Sequence, residues 1–197
     1  NDRIGGSDPY SASKGGAELA IQSYFKCFFK GGDIKIGIGR AGNVIGGGDW
    51  SPYRLVPDCM KSWSNNEVVT IRNPNSTRPW QHVLEPLSGY LLLASKLYLE
   101  NDLEGEAFNF GPPANQNYNV MNVVKEMSQY WEKVRWETAD SKGFQESGLL
   151  KLNCDKALSK ILWEPVWDFN TTIYQTVNWY KNFYENKKNT FDNSINQ

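Results

Sequence analysis

The chain has 197 residues, 40% hydrophobic and 14% aromatic, enough to bury the core of one domain or of one domain plus part of another. Its formal net charge of −1 gives no reason to propose nucleic acid or an anionic membrane as partner, and no apolar run approaches the roughly 20 residues that cross a bilayer. Cys27, Cys59 and Cys154 are odd in number and form no C-x-x-C pair, and His82 is the sole histidine, so neither a disulfide framework nor a zinc site is indicated and a reducing, cytoplasmic setting fits best.

From the N-terminus, DPYSASKGGAELAIQSYFKCFFK predicts a long helix, capped by Ser7 or Asp8, with Pro9 in its first position and Gly31 and Gly32 at its end. In DIKIGIG, Ile34, Ile36 and Ile38 alternate with small or polar residues and predict a strand. LVPDCMKSWSNN reads as a short helix, VVTIRN as a strand and RPWQHV as extended chain. LEPLSGYLLLASKLYLEN is a strongly apolar helix with Pro86 in its first turn. EAFNFG predicts a strand, VMNVVKEMSQYWEK an amphipathic helix, VRWET a strand and LLKLN extended chain. Asp155 caps a short helix over KALSKIL, and a last helix runs near 170–186. The region from Asp140 to Ser147 reads as a loop, and the polar NKKNTFDNSINQ as a frayed tail. Strands and helices alternate, which predicts α/β architecture with parallel strands.

GIGRAG, residues 37–42, matches G-x-G-x-x-G, the fingerprint of a dinucleotide turn. Such a turn needs a helix directly after it, to present N–H groups and a positive dipole end to the pyrophosphate. Here more glycine follows, then Asp49, Trp50 and Pro52, and Asp58 falls inside a predicted helix rather than at a strand end. The segment therefore reads as a strand whose glycines pack closely on neighbouring backbone, with a flexible turn at Gly46 to Gly48.

Tyr10 and Lys14 are four apart on the first helix and share a face. A phenol is a poor base at neutral pH, and a cation held beside it favours the phenolate. A Tyr-x-x-x-Lys pair can thus take the proton of an alcohol as hydride departs. The same spacing also occurs as an ordinary surface pair.

In its context, DPYSASKGGAE resembles the catalytic helix of the extended short-chain dehydrogenase/reductase family, which includes nucleotide-sugar epimerases and dehydratases. GRAGNVIGGGDW, RLVPD, IRNPNSTRPWQHVLEPLSGYLLLA and LNCDKALSKILWEPVWDF carry the resemblance on to about residue 185. It is densest to the branch whose substrate is CDP-glucose. RPWQHVLEP departs in a telling way from the R-D-[WFY]-x-x-V-x-D type segment of most relatives. The resemblance implies NAD as cofactor. It also implies the C-terminal part of an NAD(P)-binding Rossmann-like fold, because the family's G-x-x-G-x-x-G loop lies far upstream of the catalytic tyrosine. On this reading residues 1–50 are a remnant of the dinucleotide-binding domain, 51–186 form mainly the nucleotide-sugar domain with interleaved Rossmann elements, and 187–197 are a flexible tail.

The implied reaction oxidises the sugar at C4, eliminates water across C5 and C6, and returns hydride to C6. Tyr10 takes the 4-hydroxyl proton, and Lys14 sustains the phenolate and holds a cofactor ribose hydroxyl. The resemblance implies that Asn43 lies near nicotinamide and sugar, that Arg54 and Arg78 hold the diphosphate, and that Arg72 with Asn73 lies near the nucleoside; from the residues alone Arg54 and Arg78 also read as solvated surface charges. The family's elimination acid and base lie upstream, so the isolated chain is expected to be inactive. His82 reads as structural or supporting, and Glu85 as capping or orienting the helix start beside it. Aromatic stripes at Tyr24, Phe25, Phe28 and Phe29, and at Trp179, Tyr180, Phe183 and Tyr184, follow helical spacing and read first as buried; the resemblance also offers the first stripe as a dimer surface in the full-length enzyme. Two alternatives remain: a related enzyme for UDP-, dTDP- or GDP-sugars, and a non-catalytic nucleotide-sugar- or carbohydrate-binding module.

Overall fold

A computed structural model of the chain describes residues 4–6, 8–100, 102–139, 150–185 and 189–195. The loop expected from Asp140 to Ser147, and Ser7 as a candidate cap, lie outside the described residues.

Helix α1 spans Pro9–Tyr24 and continues as one π-helical turn over Phe25–Phe29. Asp8 is its N-cap, accepting from the Ser11 backbone N–H at 2.9 Å and the Ser11 hydroxyl at 2.6 Å. Strand β1 follows at Ile38–Ala41 and β2 at Val44–Ile45. Then come α2 (Leu55–Ser64), β3 (Val69–Ile71), β4 (Thr77–Arg78), β5 (Gln81–His82), α3 (Leu84–Leu99) and β6 (Ala107–Phe110). The C-terminal part adds β7 (Tyr118–Asn119), α4 (Val120–Met127), β8 (Trp136–Thr138), α5 (Asp155–Ile161), α6 (Phe169–Tyr184) and α7 (Thr190–Ile195).

Among the described residues the strands pair two by two: β1–β6, β2–β5 and β3–β8 are parallel, and β4–β7 is antiparallel. The β1–β6 register runs from Ile38 opposite Ala107 to Ala41 opposite Phe110, with α3 laid over it. The parallel α/β reading holds, although strand β1 begins at Ile38 and leaves Ile34 and Ile36 outside. Residues 150–153, expected extended, form no strand. The frayed tail is corrected at 190–195: α7 packs on α6, where the buried Asn193 amide donates to the Trp179 carbonyl at 2.8 Å. Asp155 is not a cap but the first helical residue of α5; its N–H donates to the Asn153 side chain at 3.0 Å.

Two apolar clusters form the interior. One gathers α2, β3, α4 and α6 around Met60, Trp63, Ile71, Met127, Ile173 and Tyr180. The other gathers α3, β6 and α5 around Leu93, Leu97, Phe108, Phe110, Ile161 and Trp163. The stripe on α6 is buried as its spacing predicts at Trp179 and Tyr180. The stripe on the first helix divides: Phe25 is buried, while Tyr24 and Phe28 are exposed.

The sequence 37–42 is not a strand-to-helix turn. It runs through β1 and ends two residues short of β2. A Cβ on Gly37 would lie 2.7 Å from Leu97 Cδ1, and one on Gly39 2.6 Å from Tyr90 Cε1. These glycines admit side chains of α3 rather than neighbouring backbone. The turn at 46–48 is packed rather than flexible: a Cβ on Gly47 would lie 2.0 Å from Trp179 Cγ. Trp50 joins that packing, its ring centroid 4.9 Å from Phe183 and 5.6 Å from Tyr180.

His82 is fully buried on β5 beneath Trp167, with ring centroids 4.8 Å apart. Its Nδ1 accepts from the Leu84 N–H at 3.3 Å, so the neutral ring carries its proton on Nε2. Burial pushes the imidazole from its ordinary 6.5 down to about 4. Glu85 caps nothing on its own helix. Its carboxylate accepts the backbone N–H groups of Val166 at 3.0 Å and Trp167 at 2.8 Å, tying residues 166–167 to the start of α3.

Two measurements check this packing. Gly47→Ala should lower unfolding stability by roughly 1–3 kcal/mol through overpacking against Trp179. Gly16→Ala, in the helix interior with nothing within 4 Å of its added Cβ, should raise it by roughly 0.5–1 kcal/mol; both are read by denaturant titration. The second concerns pH. The folded state holds His82 below its unfolded value, so its contribution is complete above about 6.5 and is lost as pH falls towards about 4. The unfolding midpoint should fall across that window, and the single imidazole NMR resonance should stay in its neutral position down to pH 5.

Candidate functional site

The site is assembled at the ends of β1 and β2. Asp8 and Pro9 fix the start of α1, so Tyr10 stands in its first turn with Lys14 one turn further on. The two bonds from Ser11 hold the Asp8 carboxyl below the usual carboxylate range. Lys14 Nζ lies 5.6 Å from the centroid of the Tyr10 ring, so phenol and ammonium share one face. Tyr10 is 71% exposed and lines an open cleft of about 680 Å³.

Helix α1 buries little of itself; among its own residues only Gly15 is fully enclosed, against Gly5 and Ile4. What joins it to the sheet is a forked ion pair. Arg40 on β1 donates through Nε to Glu18 Oε2 at 2.8 Å and through Nη2 to Glu18 Oε1. Arg40 Nη1 also reaches Asn109 Oδ1 on β6 at 3.4 Å. Below this contact Phe25 packs against Gly105.

Asn43 sits between β1 and β2, and its carbonyl accepts the Gln81 N–H at 3.1 Å. The short β2–β5 ladder thus sets its position in the cleft. Arg54 precedes α2, and its Nη1 lies 3.3 Å from Asp49 Oδ2. Asp49 is held in turn through its carbonyl, which accepts the Tyr180 hydroxyl at 2.7 Å. Arg72 follows β3; its Nη2 donates to the Tyr53 carbonyl at 3.3 Å and its guanidinium lies 5.9 Å from the Tyr53 ring centroid. Arg78 lies on β4, its Nη1 donating to the Thr77 carbonyl at 2.7 Å.

The structure therefore brings Tyr10, Asn43, Arg54, Arg72, Asn73 and Arg78 into one cleft, with Lys14 behind Tyr10 rather than on the wall. Sequence reasoning missed Asp49, Tyr53, Asp58 and Trp80, which also line it. Asp49 and Tyr53 sit in the irregular segment between β2 and α2, where no periodicity flags them. Asp58 did carry a signal, as a lone acid beside the apolar face of α2. Among the described residues no group of three His, Cys, Asp or Glu side chains is placed to hold a metal ion, and no helix is long and apolar enough to cross a membrane.

A parallel β1–β6 pair lies under α3, a Tyr-x-x-x-Lys helix is salt-bridged to β1, and a guanidinium-lined cleft opens beyond the strand ends; this α/β architecture is the one seen in NAD-bound epimerase and dehydratase structures. No protein-family model matches the chain. The UDP-glucuronic acid 4-epimerase of Bacillus cereus, solved with UDP-glucuronic acid and NAD, superposes with a TM-score of 0.74 at 18% identity over 90% of this chain and 54% of that one. The dTDP-glucose 4,6-dehydratase of Bacillus anthracis, solved with NAD, superposes with a TM-score of 0.68 at 21% identity over 89% of this chain and 52% of that one. In sequence the chain is a relative of the CDP-glucose 4,6-dehydratase of Salmonella typhimurium, 44% identical over 187 residues, which cover 92% of this chain and 52% of that protein. The chain thus spans about half the length of each of the three.

The docking of α1 can be measured directly. Glu18→Ala should speed amide hydrogen exchange a few-fold across residues 9–24 and leave α6 unchanged, with a global cost of about 0.5–1 kcal/mol for a partly exposed pair.

Proposed function

We propose that this chain is the nucleotide-sugar-binding portion of an NAD-dependent 4,6-dehydratase whose substrate is CDP-glucose. The observation that carries the reading is the cleft itself, with the Tyr10 phenol and three guanidinium groups on a shared wall. Guanidinium forks match the paired oxygens of a diphosphate. A phenol at the mouth, with an ammonium on its own face, suits a sugar hydroxyl that must lose a proton. The 44% identity to the Salmonella enzyme favours CDP-glucose over other nucleotide sugars.

In this reading Arg54 and Arg78 clamp the diphosphate, and Arg72 with Asn73 contacts the nucleoside. Asn43 offers an uncharged donor and acceptor between sugar and nicotinamide. Tyr10 takes the proton of the sugar 4-hydroxyl, and Lys14 favours the phenolate from behind the ring. The residues present fit the nicotinamide end of NAD: Tyr10 stands open to the cleft, and Asn43 lines the wall at the strand ends. They do not fit its pyrophosphate, because residues 37–42 run through a strand beneath α3. NAD, when bound, supplies a hydride acceptor for C4 and a hydride donor for C6. The exposed Tyr24 and Phe28 support a second copy of the chain as partner at this helix.

Calorimetric titration of the chain should show CDP-glucose binding more tightly than UDP-, dTDP- or GDP-linked sugars. Arg78→Ala should weaken it at least tenfold, while Tyr10→Phe leaves binding nearly unchanged. Failure of every nucleotide sugar to bind would overturn the reading, and binding of free glucose as tight as CDP-glucose would point to a carbohydrate-binding module. Incubated alone with CDP-glucose and NAD, the chain should yield no dehydrated sugar by mass spectrometry.

A further inference from the structure

The cleft contains two carboxylates, and a diphosphate site has no use for them. Asp49 is engaged by Arg54 at 3.3 Å. Asp58 is different. It lies in the first turn of α2 and lines the cleft together with Tyr53, with the Arg72 guanidinium near enough to act on it electrostatically. Burial raises its proton affinity, so its ionised form is costly where it stands. An acid next to the α2 core needs a positive or donor partner. Leu55 and Val69 line the same cleft, from α2 and from the adjoining strand β3, and offer apolar faces for a flat ring.

We propose that Asp58 and Arg72 together read the edge of the nucleobase and select cytosine over uracil or thymine. This rests on the nucleotide-sugar reading above. A carboxylate only accepts hydrogen bonds and a guanidinium only donates them. Cytosine presents an amino donor at N4 beside an acceptor at N3, so Asp58 takes an N4–H while Arg72 donates to N3. Uracil and thymine present the reverse, a carbonyl at O4 beside an N3–H donor. Placed in the same register, O4 would face the Asp58 carboxylate acceptor to acceptor, and N3–H would face the guanidinium donor to donor. Polar groups left unpaired beneath a bound base in this way make its edge discriminating. Adenine shares the cytosine pattern, so the pair reads an amino-substituted base edge, and the size of the slot separates pyrimidine from purine.

The test is calorimetric binding of CDP and UDP to the whole chain, before and after Asp58→Asn. The unaltered chain should prefer CDP by at least tenfold. The amide can turn its NH₂ towards O4, so Asp58→Asn should weaken CDP about tenfold, leave UDP within about threefold, and bring the ratio near one. A second arm needs no variant: a 2-pyrimidinone riboside diphosphate, which lacks the N4 amine, should bind the unaltered chain at least tenfold more weakly than CDP. An unchanged CDP-to-UDP ratio in Asp58→Asn, or equal binding of the amine-free analogue, overturns the assignment while leaving the nucleotide-sugar reading intact. If neither CDP nor UDP binds the unaltered chain, the nucleotide-sugar reading itself fails.

Discussion

Tyr10 reaches the cleft because Glu18 and Arg40 meet. Helix α1 carries Tyr10 and Lys14, yet it contributes almost no buried apolar surface of its own. A helix of that kind has no hydrophobic reason to sit at a particular angle on a sheet. The planar guanidinium of Arg40 presents two parallel donors to one carboxylate, and such a fork fixes orientation as well as distance. With Phe25 on Gly105 as a second point of attachment, α1 is held at both ends of its C-terminal half. Its first turn then projects past the end of β1, where Asn43 precedes the next strand.

The rest of the wall is set by packing rather than by charge. Trp50 and Trp179 clasp the turn at Gly47, and Tyr180 holds the Asp49 carbonyl from within the core. Arg54 therefore faces a carboxylate whose place is fixed by the aromatic face of α6. Arg72 is steered by a carbonyl and a ring of Tyr53, a residue held at φ 65° in the left-handed region. Guanidinium groups held by such contacts lose less freedom when a ligand arrives than groups waving in solvent.

The elements were legible where a period or a cap spoke clearly. Asp8–Pro9, the apolar run of α3 and the stripe on α6 all predicted the helices that form. The glycine-rich stretch was legible only as something other than a phosphate loop. That Gly37 and Gly39 admit Leu97 and Tyr90, and that Gly47 admits Trp179, depends on contacts 51 to 132 residues distant, which no local window contains. Asp155 was misread because the side chain that serves its helix start belongs to Asn153, two residues earlier. Glu85 was legible as orienting a helix start, but its partners, Val166 and Trp167, lie on another segment. The gathering of Tyr10, Asn43, Arg54, Arg72 and Arg78 on one wall could be expected from family resemblance but not from spacing, since five different parts of the chain supply them.

The lone imidazole has a wider consequence. Histidine is the side chain whose ordinary ionisation falls between pH 5 and 8, and here it is walled in beneath Trp167. The charges lining the cleft come from guanidinium and carboxylate groups. Walled in as it is, the imidazole itself brings no change of charge to the surface that a ligand meets near neutrality.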